Sequence, residues 1–459
     1  MHPRRTPEIA FESILKVAAV LLLTLPCCQI AVAGDDLTGT VSDSEGKPIA
    51  GATVMVYHAS PTTGYSLFCP SCYVDCGKRV ITDSHGMFTF HHMSPGLWFE
   101  LLVARSGYEP KFIEKVVPKS DVPITATLDS RSILSDPNRM FRGRIVDSKG
   151  FAQNDSVVQP VGVLWDGKTG ASSYGEIRGV DPIAITDGNG DFEIYAFSIE
   201  PKPVKILVSI EARGMAGAFS MIPAGLERHA ITVSEGATVR GRLVKDGQPL
   251  GGAEIGLIGR PHGGFRANLE VVGNPFDEIR IGTQPDGTFA ITNVPATADW
   301  YIYGKMESIV SHGATGAVAC ATKHDKEIVD VGDLQIKPAH RLSGRVLLSD
   351  GKEIPDGMRV TISSEQAKDS QTAMLPADGR FEFAGLGTGS YSIFASVKGY
   401  SPPPMAPISF KSKEGRVLTY TPPPPPVFIE RDVDNFVVTL HPDKNSSAKT
   451  ADVNKSDPR

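Results

Sequence analysis

The chain has few cysteines, no run of like charge, and no long hydrophobic stretch beyond its first segment. Six cysteines are spread over 459 residues, and 46 Lys and Arg with 52 Asp and Glu leave a net charge of −6. The charges are mixed along the chain, so no basic stripe meets a phosphate backbone, and nucleic acid is not expected as a partner. Neither a Gly-x-Ser-x-Gly elbow nor a His-Glu-x-x-His motif occurs. No stretch alternates strand and helix patterns as an α/β catalytic body requires. Turn material is abundant instead. The 46 Gly and 35 Pro point to short strands and many reversals, an all-β chain.

The single apolar run lies at the N-terminus. Arg4, Arg5 and Lys16 precede the apolar residues 17–25, and Ala31-Val32-Ala33 supplies a small-x-small cleavage pattern. Residues 1–33 therefore read as a signal peptide. The run is shorter than the roughly 20 residues of a spanning helix and is broken by Pro26 and Gln29. A lipid anchor at Cys27 or Cys28 is disfavoured by the bulky residue before each. The expected location is exported, whether periplasmic, cell-surface or secreted, with no transmembrane segment in the mature chain. Loss of the signal leaves Cys69, Cys72, Cys76 and Cys320.

One signature returns four times at a period of about a hundred residues. It begins with a strand carrying Gly-x-apolar, at Gly39-Thr40-Val41, Gly143-Arg144-Ile145, Gly241-Arg242-Leu243 and Gly344-Arg345-Val346. It ends on an acidic turn closed by Gly-x-Phe, with Asp83 before Gly86 and Phe88, and Asp187 before Gly190 and Phe192. Asp286, Gly287 and Phe289 repeat it, then Asp378, Gly379 and Phe381. Each turn Gly is expected at positive φ and each Phe in the core, since strand neighbours alternate faces. Six or seven short strands per repeat describe a tandem array of four small antiparallel β-sandwich domains. The expected boundaries are 34–129, 140–235, 236–338 and 340–441, the last with Pro-rich segments. Residues 442–459, small and polar, are expected to be a disordered tail.

The first repeat also carries Gly46-x-Pro48-x-x-Gly51-Ala52, Pro95-Gly96 and Gly107-Tyr108. With these it resembles the carboxypeptidase regulatory-like domain, a transthyretin-like sandwich grouped with carbohydrate-binding-like folds. The fourth repeat matches through Asp378-Gly379-Arg380-Phe381 and Lys398-Gly399-Tyr400. The third keeps Gly247-Gln248-Pro249 but lacks Gly-Tyr, and the second lacks the Gly-x-Pro-x-x-Gly-Ala turn. The resemblance implies a fold and says little of a ligand.

Four places invite chemistry. Cys69-Pro70-Ser71-Cys72 and Cys76 crowd one insertion of the first repeat. A zinc site completed by His58, His85, His91 or His92 and a redox pair are the alternatives, but export favours a disulfide that braces the loop. Cys69, Cys72, Cys76 and Cys320 are thus disulfide candidates, with pairing open among three connectivities. His324 and Glu327 have the spacing of a carboxypeptidase zinc motif with His441 far downstream, yet no catalytic body accompanies them, and a polar loop is expected. Asp187-Gly188-Asn189-Gly190-Asp191 offers alternating oxygens like a calcium loop, without that loop's sixth-position Gly, and an ordinary turn is expected. Trp98, Trp165, Trp300 and Tyr301 are the aromatics suited to stacking on sugar rings; core packing is their competing role.

No catalytic residue, metal or cofactor is expected. The sequence reads as a non-enzymatic, exported binding or scaffolding protein whose partner is a surface protein or polysaccharide. The alternative is a carbohydrate-binding protein using loops and exposed aromatics.

Overall fold

The computed structural model describes residues 35–62, 73, 75–118, 123–131, 136–165, 170–172, 177–260, 278–367, 369–403, 405–411, 417–420 and 424–443. The signal segment, Cys69, Cys72 and the tail from residue 444 lie outside the described residues. What is described is almost entirely β.

The first unit has seven strands: β1 (Asp35–Asp43), β2 (Thr53–Pro61), β3 (Arg79–Ile81), β4 (Met87–Met93), β5 (Leu97–Ala104), β6 (Lys111–Val116) and β7 (Ile124–Leu128). They form two sheets, ordered β4-β1-β7 and β3-β2-β5-β6. Alternation along β1 sends Leu37 and Val41 inward, where they meet Val54 and Val56 of β2, Phe88 and Phe90 of β4, and Phe99, Leu101 and Val103 of β5. Burial of each such side chain is worth roughly 1.5–3 kcal/mol. The closing strand β7 runs parallel to β1, so the last segment of the unit seals against its first.

The same plan recurs three times. The opening strands Met140–Asp147, Ala237–Lys245 and His340–Leu348 pair in parallel with the closing strands Arg228–Val233, Ile328–Ile336 and Val433–Pro442. Each opening strand also pairs antiparallel with the strand after its acidic turn. Separate hydrophobic cores fill the second, third and fourth sandwiches.

The two halves of the repeated signature are one contact. Gly39 stands opposite Phe88 in the ladder, Gly143 opposite Phe192, Gly241 opposite Phe289 and Gly344 opposite Phe381. The turn glycines Gly86, Gly190, Gly287 and Gly379 all adopt φ between +71° and +76°. Their carbonyls accept the N–H of Val41, Ile145, Leu243 and Val346 at 2.8–2.9 Å.

The second repeat does have its first turn, although the sequence pattern is missing there. Asp147 Oδ1 accepts the N–H of Lys149 and Phe151, as Asp43 Oδ1 accepts those of Glu45 and Lys47. Gly150 takes the left-handed place of Gly46, and Asp155, at φ 53°, takes that of Gly51. Aspartate tolerates this region better than most residues, so the geometry persists where the consensus letters are lost. In the fourth unit a hairpin of Ile408–Lys411 and Val417–Tyr420 stands between the two Pro-rich segments.

Candidate functional site: the junctions between units

The cysteines do not converge where they are described. Cys76 packs on the first core and Cys320, on the strand Val318–Thr322, on the third, so they are not each other's partner. Burial pushes the Cys320 thiol up to about 11. The base of the Cys insertion is anchored by Asp75, fully buried, which accepts from Lys78 Nζ at 2.5 Å and Ser94 N–H at 3.0 Å. The neighbouring histidines are engaged apart from one another. His58 Nδ1 lies 2.9 Å from Glu100, and His91 Nδ1 lies 2.8 Å from Asp36. Among the described residues no group of three His, Cys, Asp or Glu side chains converges as a metal site would.

The stacking candidates divide. Trp300 is 4% exposed and donates Nε1–H to Thr322 Oγ1 at 3.0 Å, so its ring belongs to the third core and is closed to a sugar. Trp165 packs against the second core. Trp98, half-buried on β5, stands beside Ser60 in the ladder. Tyr301 is half-buried on the outer face of the third unit, with the Arg260 guanidinium 5.4 Å from its ring centre.

The calcium-like loop is a turn. Asp187 Oδ1 accepts the N–H of Asn189 and Asp191, and Asp191 is held by Arg144 and Arg228. A spacing overlooked in the sequence, Gly162 followed by Gly167-Lys168-Thr169, matches a phosphate-binding loop. Such a loop needs a helix N-terminus after it. Here Gly162 lies within a strand, Val157–Leu164, and Gly170–Ser172 pair back onto it as a strand. Residues 166–169 lie outside the described residues.

Side chains with unusual surroundings gather instead where one unit meets the next. Between the first and second, Tyr57, Leu102 and Ala104 of the first pack against Val157, Ile183 and Ile185 of the second. Beside them Arg131 donates to Asp181 at 2.8 Å and lies 4.5 Å over the Tyr195 ring. Asp181 also accepts the Tyr195 N–H, and burial raises its pKa despite Arg131. The adjoining cleft, about 290 Å³, is lined by Arg105, Tyr108, Arg131, Asp191 and Arg228.

The second junction uses the loop that holds His324 and Glu327. Glu327 Oε2 accepts the N–H of Lys323 and His324, so the carboxylate that a zinc motif would offer is spent on its own loop. Asp325 accepts the Gly236 N–H at 2.6 Å, and Lys326 pairs with Glu235. Asn293, at φ 56°, donates to Gly214 O and Glu235 O, both at 2.8 Å. The zinc-like motif is thus a clasp on the linker.

At the third junction Tyr303 and Ile258 of the third unit bury with Ala367 of the fourth. Met306, in the short helix Met306–Ile309, enters the fourth core. Leu102 and Tyr303 occupy equivalent outward register positions, on the strands paired with Met55 and Gly256, and both are buried by the following unit. Phe394, the equivalent in the fourth unit, is 47% exposed. Among the described residues no helix is long and apolar enough to cross a membrane.

The architecture is that of tandem β-sandwich units. Residues 36–129, the first unit, match the family model of the carboxypeptidase regulatory-like domain. No curated protein matches the chain. Among solved structures it is similar to the TIE protein of Bacillus anthracis, at 10% identity over 94% of this chain and 78% of that one, with TM-score 0.18. A streptococcal ancillary pilin aligns at 12% identity over 67% of this chain and 99% of its own, TM-score 0.19. The major pilin subunit BcpA of Bacillus cereus aligns at 9% over 89% and 99%, TM-score 0.16.

Proposed function

We propose that the protein is a non-catalytic, exported scaffold whose four sandwiches are held in fixed relation, so that loops and edges are presented to a surface partner at set spacing. The observation that carries this reading is the chemistry of the junctions. All three carry specific hydrogen bonds and ion pairs, and the first and third bury apolar side chains and charges that free linkers would leave in water. A string of independent beads has no use for a buried Asp181 or a bonded Asn293. Fixed spacing lets several weak contacts act together, because the second contact then occurs at high effective concentration.

The signal-like residues 1–33 support export. The carbohydrate alternative draws on Trp98 and Tyr301, with Trp300 lost to the core.

The test is small-angle scattering of the purified chain together with fractionation of cells that make it. A scattering curve fitted by one fixed arrangement, and recovery outside the cytoplasm, are expected. A curve that demands a flexible ensemble, or retention in the cytoplasm, would overturn the reading.

A further inference from the structure

Lys305 directly follows the strand Ala298–Gly304 of the third unit, and its side chain is only 8% exposed. Its Nζ lies 2.6 Å from Oδ1 of Asp369, which belongs to the fourth unit and whose side chain is 4% exposed. The same nitrogen lies 2.8 and 3.1 Å from the two carboxylate oxygens of Glu278. Glu278 is gripped in turn by the Tyr303 hydroxyl and by Arg280 Nε at 2.5 Å. Asp369 Oδ2 accepts the Met306 N–H at 2.6 Å, and Oδ1 accepts the N–H of Ser370 at 3.0 Å. Buried Met306, Tyr303, Ile258 and Ala367 surround the group.

An amine pressed between two carboxyl groups, away from water, is placed for more than attraction. We propose that Lys305 and Asp369 condense to an amide that joins the third unit covalently to the fourth, with Glu278 as the base.

The two acids have different states to offer. Burial raises the Asp369 pKa against the pull of Lys305, which favours the neutral acid that an amine can attack. Burial pushes Glu278 up as well, but hydrogen bonds from Lys305 and Tyr303 and the nearby cations outweigh it and hold Glu278 below its ordinary value, as a carboxylate.

Glu278 takes one proton from the Lys305 ammonium. The freed amine attacks Cγ of Asp369, forming the C–N bond, while negative charge collects on Oδ2 under the Met306 N–H. The Asp369 hydroxyl then leaves as water with a second proton from the same nitrogen. The third hydrogen stays on the amide, and Glu278 ends protonated. No oxidant or cofactor enters the balance. Fixed juxtaposition is worth an effective concentration of about 10⁵–10⁸ M, which offsets the usual preference of water for the separate acid and amine.

Peptide mapping of the full chain tests this. The purified protein is unfolded, digested with trypsin and read by tandem mass spectrometry. The expected result is no cleavage after Lys305 and a branched species joining the Lys305 and Asp369 peptides, lighter by one water than their sum. Full recovery of both linear peptides would overturn the proposal, whatever any variant does. In Glu278→Gln, with folding checked by circular dichroism, the linear peptides are expected. A branched species there at the wild-type yield would remove Glu278 from its role.

Discussion

The ring of Phe88 lies across Gly39, its partner in the β1–β4 ladder, so closely that a Cβ on Gly39 would fall 2.5 Å from Phe88 Cζ. The equivalent distance is 2.5 Å for Gly143 under Phe192 and 2.8 Å for Gly241 under Phe289. An aromatic ring covering a strand glycine repairs the packing that the missing side chain would leave open. Opening glycine and closing phenylalanine therefore recur together along the chain because they touch.

Gly39→Ala should destabilise the first unit by about 1–3 kcal/mol, the usual penalty for an extra methyl in a packed core. Gly86→Ala should cost more. Its φ is +72°, and the new Cβ would sit 2.3 Å from the rigid Val41 carbonyl oxygen. Hydrogen exchange confined to residues 36–118 is the measurement, since it isolates one unit of several. Equal protection in both variants and the parent would refute the contact.

A buried threonine fastens three of the four units. Thr82 Oγ1 donates to Ile49 O at 2.7 Å and accepts the Ala52 N–H at 2.8 Å. Thr186 and Thr283 do the same in the second and third units. Leu375 holds that place in the fourth, buried and apolar. Thr82→Val keeps the shape but strands a donor and an acceptor, at about 1–3 kcal/mol for each group left unpaired. Exchange at the Ala52 amide should rise first, and protection unchanged there would count against the staple.

Asp181 gives the first junction a dependence on acid. Burial raises its folded pKa above 3.8; Arg131 and the Tyr195 N–H pull against this, and Glu109 adds to it. The folded state then binds the proton more tightly than the unfolded chain. Its stabilising effect is complete below the ordinary value and is lost as pH rises through the raised one. The melting-temperature difference between wild type and Asp181→Asn should therefore change across the pH range that begins at the ordinary aspartate value and extends upward from it. A constant difference across that range would mean that Asp181 keeps its charge.

Much of this was legible in the sequence. Gly, Asp and Phe at fixed offsets give a turn and its strands because local sterics decide them, and the four sandwiches follow. The second unit's first turn was hidden because Asp155 does the work of a glycine. The junctions were hidden for another reason. Lys305, Glu278 and Asp369 are separated in sequence and surrounded by no motif, so only folding brings them together. His324 and Glu327 showed the reverse case, a motif whose spacing is real and whose carboxylate faces its own backbone. Trp300 carried no sign of burial beyond its place on a strand.

Cys320 separates two states of the thiols, free and disulfide-bonded. With its thiol raised to about 11 by burial, it should resist iodoacetamide at neutral pH in the folded protein. It should react fully once the protein is unfolded without reductant. Failure to react after unfolding would place Cys320 in a disulfide.

The second junction should open when Asn293 is changed. Asn293→Ala removes two hydrogen bonds, about 0.5–1.5 kcal/mol each. It also leaves alanine at φ 56°, a further cost of roughly 1–2 kcal/mol. Asn293→Gly loses the bonds and keeps the backbone, so its effect should be the smaller. The bond after Glu235 lies inside this clasp, with Glu235 exposed and Gly236 buried. A glutamate-specific protease reports the open state when reclosing is faster than cleavage. Cleavage there should accelerate about tenfold or more in the alanine variant, since each 1.4 kcal/mol is a factor of ten. Equal rates in all three proteins would show that the linker is held by something other than Asn293.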